Sequence, residues 1–254
     1  MNEFSVFRIL LIISFVVATG IFIALFFISA PYGRHSRRGW GLQLPNWTGW
    51  LLMESVSAIV MLVMFLIGHA PKTLTTIIFL LMWEAHYIHR SYIYPFLLRD
   101  GKKKMPITVI IMAVVFNLGN GYLNGRYVYH FSGGRYAMSW LLDPRFIVGT
   151  LLFIAGFIIN RWADNTLRGL RKPGETGYKV PYGGLYEYIS CPNYFGEILE
   201  WFGWAIATWS LPGLTFAIWT FANLVPRAWS HHKWYHDNFS EYPLNRKALI
   251  PGIW

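Results

Sequence analysis

Ionisable side chains lie within otherwise apolar segments of this chain, and their positions decide what chemistry it can perform. Glu54 lies early in one such segment, either as an interfacial carboxylate beside Trp47 and Trp50 or as part of a site. A later segment carries a polar and aromatic face within about 120° of a helix. At membrane depth such a face turns inward, where it either lines a cavity or locks helices together through hydrogen bonds. The residues of this polar and aromatic face are Trp83, Glu84, Tyr87, Arg90, Ser91 and Tyr94.

Three further polar stripes have helical spacing. The first combines an amide, a carboxylate and two guanidinium groups within about 80° if the helix continues that far, which suits a polyanionic ligand that also carries hydroxyls. The alternative for this stripe is a salt-bridged helix end, with Asp164 paired to Arg168. Together the stripes predict a polar pocket open to the cytoplasm and covered by the loop 163–194. They are Asn160, Asp164, Arg168 and Arg171; Asn193, Glu197, Glu200 and Trp204; and Arg227, His231 and Tyr235.

The elements that must position these residues are predicted to be membrane-spanning helices. Of the 254 residues, 55% are hydrophobic and 13% are charged, whereas a soluble domain has about 45–50% and 25%. We therefore predict an all-α, polytopic integral membrane protein of seven transmembrane helices, with a structured cytoplasmic loop and tail. The first segment is interpreted as a retained helix and not as a signal peptide. The segments are 10–30, 47–67, 73–98, 106–129, 146–162, 195–210 and 213–229.

The charge distribution predicts a topology. The chain has a net charge of +10, and most of its lysines and arginines follow the first, third, fifth and seventh segments. By the positive-inside rule the N-terminus lies outside and the C-terminus in the cytoplasm. Since these cations flank membrane segments, a nucleic-acid partner is not supported.

Several other classes of site lack a signal. The single cysteine, Cys191, excludes an internal disulfide and a cysteine-based metal centre. Pairs such as His232 and His236 are too few for a di-iron site, so no metal is predicted. No glycine-rich dinucleotide fingerprint or P-loop occurs. The glycines around Asn120, in an apolar helix, indicate close helix packing.

Ordered motifs along most of the chain resemble the steroid 5α-reductase family, closest to its type 2 isozyme, and we expect a microbial member. The likeness is strongest after Asp143 and weaker in the first third, where Pro31–His35 matches. Leu98 and Lys102–Lys104 depart from the family pattern. The motifs are His86–Arg90, Leu170–Glu175, Pro181–Leu185, Asn193–Glu197, Ala207–Pro212 and Tyr242–Pro251.

The resemblance implies a seven-helix membrane enzyme that reduces the Δ4 double bond of 3-oxo-steroids with NADPH. Tyr87 and Glu54 would hydrogen-bond the 3-keto oxygen of a steroid or related enone lipid. A single domain over residues 1–254 is implied, with the cofactor-binding part mainly at 160–254. The implied cofactor residues are Arg90, Tyr94, Asn160, Asp164, Arg168, Arg171, Asn193, Glu197, Arg227, His231 and Tyr235.

Two other functions remain open from the sequence. An integral-membrane methyltransferase of the isoprenylcysteine type would bind S-adenosylmethionine in a similar cytoplasmic pocket, but two phosphate-suited arginines favour NADPH. A small transporter would need a polar path across the bilayer, whereas the stripes cluster on the cytoplasmic side. Membrane lipid is the other expected partner, and no obligatory protein partner is indicated. The host decides whether the membrane is a bacterial inner membrane or the endoplasmic reticulum.

Overall fold

The computed structural model describes residues 1–28, 39–99, 103–172, 175 and 177–254. Three features singled out in the sequence lie outside these residues. They are the Pro31–His35 motif, Lys102, and Pro173 with Gly174 in the Leu170–Glu175 motif.

Most of the described residues lie in long helices, and a helix occurs at each of the seven predicted segments. Four of these helical stretches are long and apolar enough to cross a membrane, at 3–27, 46–67, 107–131 and 144–169. The helical fold class is therefore confirmed, and seven crossings remain a prediction. The helices are α1 Glu3–Phe27, α2 Asn46–Ile67, α3 Leu74–Ile88, α4 Tyr94–Leu97, α5 Ile107–Arg126, α6 Pro144–Gly169, α7 Pro192–Thr208 and α8 Leu211–Asn238. π-Helical turns cover His89–Ile93 and Tyr127–Phe131, and 3-10 helices cover Met138–Leu142 and Gly184–Glu187.

A small antiparallel sheet departs from the all-α prediction. Strands β1 Gln43–Pro45 and β2 Lys104–Pro106 pair with Leu44 opposite Met105. Each strand ends in a proline, and α2 or α5 begins at the next residue. The sheet therefore holds the first turns of α2 and α5 side by side. Three-residue strands are too short to show an alternating pattern, so the sequence carried no signal for them.

The chain folds into two compact units. Unit 1 comprises Met1–Ile13, Pro31–Ile147 and Ser210–Pro212, and unit 2 comprises Ser14–Ala30, Val148–Trp209 and Gly213–Trp254. Unit 1 is built mainly on α2, α3 and α5, whereas α7 and nearly all of α6 and α8 belong to unit 2. The single domain over 1–254 stays a prediction.

In unit 1, α2 and α5 pack closely through glycines of α5. A Cβ atom on Gly121 would lie 2.9 Å from Val60 Cγ1, and one on Gly125 would lie 2.7 Å from Met64 Cβ. Neither contact leaves room for a larger side chain. The predicted small-residue packing is thus confirmed for Gly121 and Gly125, with α2 as the partner, but not for Gly119, where a Cβ atom would meet nothing within 4 Å.

The π-helical turn His89–Ile93 changes the face predicted for this segment. Pro95 has no N–H to donate to the carbonyl of Ser91, and its ring would clash with that carbonyl in a regular α-helix. The wider turn accommodates this, and the Tyr94 N–H bonds the His89 carbonyl five residues back. The predicted face of uniform 100° steps is therefore wrong beyond Ile88.

In unit 2, the backbones of α6 and α7 meet directly. Two glycines on each helix, seven residues apart, lie at the crossing, and a Cβ atom on any of them would collide with a backbone nitrogen of the facing helix. Contact this close requires glycine, because any side chain would push the helices apart. The pairs are Gly149 with Ala207, Gly156 with Glu200, Gly196 with Asn160 and Gly203 with Phe153.

The turn between α7 and α8 lies earlier than the sequence suggests. Trp209 adopts a left-handed conformation with φ 45° and ends α7, and α8 begins at Leu211. Pro212 therefore lies in the first turn of α8, where the missing N–H costs no helical hydrogen bond. The predicted segments 195–210 and 213–229 leave residues 211 and 212 between helices, and the structure instead places both in α8.

The C-terminal tail is tied back to the segment before α7. The Ser190 N–H donates to the Lys247 carbonyl at 2.8 Å, and Ser190 Oγ lies 2.6 Å from His232 Nδ1 and 2.7 Å from the Tyr242 hydroxyl. Burial, followed by the positive neighbours His236, Lys247 and Arg246, lowers the pKa of His232 to about 4. His232 is thus a neutral hydrogen-bonding member of the tail contact.

We expect Gly203→Ala to lower the free energy of unfolding by about 1–3 kcal/mol, because the added methyl group must separate α6 from α7. The midpoint of thermal unfolding in detergent measures this. Gly169→Ala is the matched control, since a Cβ atom there meets nothing within 4 Å. A Gly203→Ala midpoint equal to that of Gly169→Ala would contradict the close α6–α7 contact.

We also expect the folded chain to lose stability as the pH falls from 6.5 to about 4. His232 protonates near pH 6.5 when unfolded and near pH 4 when folded, so in this window the unfolded state binds more protons. His232→Asn should make this decline shallower in unfolding curves recorded across the window. Identical slopes for His232→Asn and the wild type would exclude a neutral, half-buried His232.

Candidate functional site

In unit 1, Glu54 is held against α5. Its carboxyl is half-buried on α2, and Asn117 of α5 donates from Nδ2 to Glu54 Oε2 at 3.5 Å and to the Met53 carbonyl at 2.7 Å. An interfacial carboxylate would extend freely toward the membrane surface. The carboxyl group of Glu54 is instead hydrogen-bonded to a side chain of the neighbouring helix. The structure thus favours the site interpretation of Glu54 over the interfacial one.

Tyr87 is fixed by aromatic packing in the same unit. Its side chain is 3% exposed, and its ring lies 5.2 Å from that of Trp83 and 4.9 Å from that of His86. Trp83 in turn donates from Nε1 to the Ser57 carbonyl of α2 at 3.3 Å. The phenol is therefore carried on a rigid platform that is anchored to the helix of Glu54.

Arg90 and Tyr94 form a cation–aromatic cluster with Trp50. The Arg90 guanidinium lies 4.5 Å from the Trp50 ring centroid and 4.6 Å from the Tyr94 ring centroid. The two rings are 5.3 Å apart in an edge-on arrangement. Stacking of this kind orients the planar guanidinium group without neutralising its charge. Trp50, noted in the sequence only as an interfacial residue, is thus a direct partner of Arg90.

In unit 2, the first two polar stripes meet as one hydrogen-bonded network. Asn160 is buried at 1% exposure, and its Nδ2 donates to the Asn193 carbonyl at 2.8 Å and to Glu197 Oε2 at 3.2 Å. Asn193 Nδ2 donates to Asp164 Oδ1 at 3.1 Å. Each carboxylate is thus oriented by an amide of the facing helix. Arg161, which the sequence analysis missed, donates to Asn160 Oδ1.

The α8 stripe joins α7 through a residue that was not predicted. The Tyr194 hydroxyl lies 3.0 Å from His231 Nε2 and accepts from Arg227 Nη2 at 3.1 Å. Arg227 also donates from Nη1 to Asn223 at 3.1 Å. Tyr194 follows Asn193 in the matched motif, so its position beside a site residue was the available signal. Arg227 and His231 lie one turn apart on α8, as predicted.

Three predicted cofactor residues have different surroundings. α6 ends at Gly169, so Arg168 lies on its last turn beside Asn165, and Arg171 lies beyond the helix with its guanidinium 5.8 Å from the Tyr178 ring. The prediction that Arg171 shares the α6 face is wrong. Tyr235 is 2% exposed and stacks on Tyr242 at 5.0 Å, so the structure places it in the packing of the tail.

The stripe that begins at Asn193 divides into a polar and a buried part. Glu200 and Trp204 are both fully buried at 0% exposure, and Gly156 packs against the Glu200 backbone. These residues belong to the interior of unit 2, whereas Asn193 and Glu197 are half-buried.

The hydrogen-bonded network of unit 2 can offer carboxylates to ligand hydroxyls and guanidinium groups to ligand phosphates. This donor set fits a nicotinamide nucleotide.

Comparison with known proteins gives a consistent result. The sequence profile of the family described as 3-oxo-5-alpha-steroid 4-dehydrogenase matches residues 103–254. The 3-oxo-5-alpha-steroid 4-dehydrogenase 1 of Bos taurus is 44% identical over 91% of this chain and 91% of its own length. The human protein of the same name is 45% identical over 89% of this chain and 86% of its own. Steroid 5-alpha-reductase DET2 of Gossypium hirsutum is 42% identical over 100% and 99%. With this coverage and identity, the chain belongs to the 3-oxo-5-alpha-steroid 4-dehydrogenase family, the steroid 5α-reductases.

Proposed function

We propose that this protein reduces the Δ4 double bond of a 3-oxo-steroid or related enone, with NADPH as the hydride donor and C5 as the acceptor. Family membership over nearly the whole chain supports the reaction class. The observation that carries the assignment of residues is the buried Tyr87 on a helix anchored to that of Glu54.

Reduction of an enone requires stabilisation of the oxygen that becomes negative as the β-carbon is attacked. The Tyr87 phenol is proposed to donate to the 3-keto oxygen as this charge develops. Glu54 is proposed to orient that donor. Its half-buried position in a largely apolar helix strengthens the interaction, because little water competes there. The hydride is added at C5, and C4 takes a proton from water or a nearby acid.

The unit 2 network is proposed to bind the nucleotide. Asp164 and Glu197 would accept from ribose hydroxyls, while Arg168, Arg171 and Arg227 would contact phosphates. Asn160 and Asn193 would hold the carboxylates in position through the bonds described above. His231 and Tyr235 complete the proposed set in unit 2, with Tyr235 acting through its packing. Arg90 and Tyr94, which belong to unit 1, are proposed cofactor residues in their own right. When bound, NADPH supplies the hydride, and the protein supplies position and electrostatics.

The alternatives are not favoured by the comparisons. The similar proteins named above are a dehydrogenase and a reductase of steroids. A membrane methyltransferase or a small transporter therefore has no support beyond the membrane helices themselves. The topology, with the C-terminus in the cytoplasm, remains part of the proposal.

The reaction is tested with purified protein, NADPH and testosterone or progesterone. We expect a 5α-reduced product from the wild type and a loss of kcat of about 100-fold or more in Tyr87→Phe, since the acid is removed. NADPH binding, followed by fluorescence, should persist in this variant. Tyr92→Phe is the control, because Tyr92 is nearby but 45% exposed. Absence of product across several enones would overturn the reaction, and an unchanged kcat in Tyr87→Phe would overturn the role of Tyr87.

The phosphate contacts are tested at Arg171. We expect Arg171→Gln to weaken NADPH binding about 10-fold to 100-fold, as for the loss of a charged hydrogen bond, with kcat at saturating NADPH largely retained. Arg145→Gln is the control, since Arg145 pairs with Asp143 at the other end of α6. Parallel titration with S-adenosylmethionine should show no binding. Equal NADPH affinity in the Arg171 and Arg145 variants would remove Arg171 from the site.

A further inference from the structure

Asn117 is a polar side chain buried in the middle of an apolar helix. It lies on α5 and is 4% exposed. A buried amide is costly unless its hydrogen-bonding groups find partners. The glycines of α5 are sufficient to explain the close packing of α2 and α5. The burial of Asn117 therefore needs a separate physical explanation.

The Asn117 amide meets two consecutive residues of α2. Its Nδ2 atom carries two hydrogens, and two acceptors lie within reach: the Met53 carbonyl at 2.7 Å and Glu54 Oε2 at 3.5 Å. The reverse orientation would place the amide oxygen against the Met53 carbonyl oxygen at the same short distance. The nitrogen must therefore face α2, and the second hydrogen points toward the carboxylate.

The surrounding helices hold this contact in place. Gly121, one turn further along α5, packs on Val60 of α2 and keeps the two helices close. The neighbouring asparagine on this side of α5 behaves differently, because Asn124 Nδ2 donates to the carbonyl and Oδ1 of Asn120 at 3.1 and 3.0 Å, within its own helix. Among these asparagine contacts, only that of Asn117 reaches Glu54.

We propose that Asn117 is a positioning residue, which holds the Glu54 carboxyl in one orientation for the reaction at the 3-keto group. This inference rests on the proposed role of Glu54. The strong bond to the Met53 carbonyl fixes the amide, and the weaker bond then restricts the rotation of the carboxyl group. Such pre-organisation lowers the cost of aligning the carboxyl in each turnover.

The test measures kcat, the KM for the steroid and NADPH affinity of the full-length protein in detergent. We expect Asn117→Leu to lower kcat about tenfold with NADPH affinity unchanged. In a Glu54→Gln background the same substitution should change kcat less than twofold, because the carboxylate it positions is already gone. Asn124→Leu, which removes a buried amide from the same helix, should keep wild-type kcat.

Three results would overturn the inference. These are wild-type kcat in a folded Asn117→Leu variant, an equal tenfold loss in the Glu54→Gln background, or the same loss in Asn124→Leu. If Asn117→Leu does not fold, Asn117→Asp keeps the shape. Its kcat should then fall below that of the wild type and recover as the pH is lowered, since only the protonated form donates. A pH profile equal to that of the wild type would again overturn the inference.

The two proposals fail in different ways. Wild-type turnover in Glu54→Gln would overturn the role of Glu54 and with it the role of Asn117. An inactive Glu54→Gln variant together with a fully active, folded Asn117→Leu variant would overturn the positioning role alone.

Discussion

The direct backbone contact between α6 and α7 is the constraint on which the polar network of unit 2 depends. Amide side chains are short, so Asn160 reaches the Asn193 carbonyl and Glu197 only if the two helices nearly touch. Glycines at the crossing make this possible, since no side chain separates the backbones. Gly196 packs against the backbone of Asn160 itself. Helix packing and site geometry are thus properties of the same few residues.

In both units, hydrogen bonds within the protein stabilise buried polar side chains. Several buried polar groups in the apolar helices are bound to other protein groups, which removes much of the cost of their burial. In unit 1 this applies to Asn117 and Trp83, and in unit 2 to Asn160. The amides of Asn117, Asn160 and Asn193 also donate to the carboxyl groups that are proposed to act on ligands. Stability and pre-organisation therefore come from the same interactions.

The sequence predicted long helices and polar stripes well, because hydropathy and 3.6-residue spacing are strong local signals. It did not predict a hydrogen-bonding partner for Asn160, because contacts between helices depend on the packing of distant segments. It failed at the π-helical turn before Pro95 and at the end of α6 before Arg171, where the helical period changes or stops. Tyr194 and Asn117 were missed for a related reason. The residue type and spacing of each give no signal on its own helix. Its role is evident only from its contact with a residue on another helix.

The π-helical turn between α3 and α4 has a consequence for how this segment tolerates change in length. A π-turn contains one residue more than an α-turn. Deleting one residue from His89–Ile93 would therefore force a regular α-helical turn, in which the Pro95 ring clashes with the carbonyl oxygen four residues before it. The cluster of Trp50, Arg90 and Tyr94 would lose its alignment, although no member of it had been removed. The extra residue thus provides the space that Pro95 needs within a continuous helical segment, and length in this region is as constrained as residue identity.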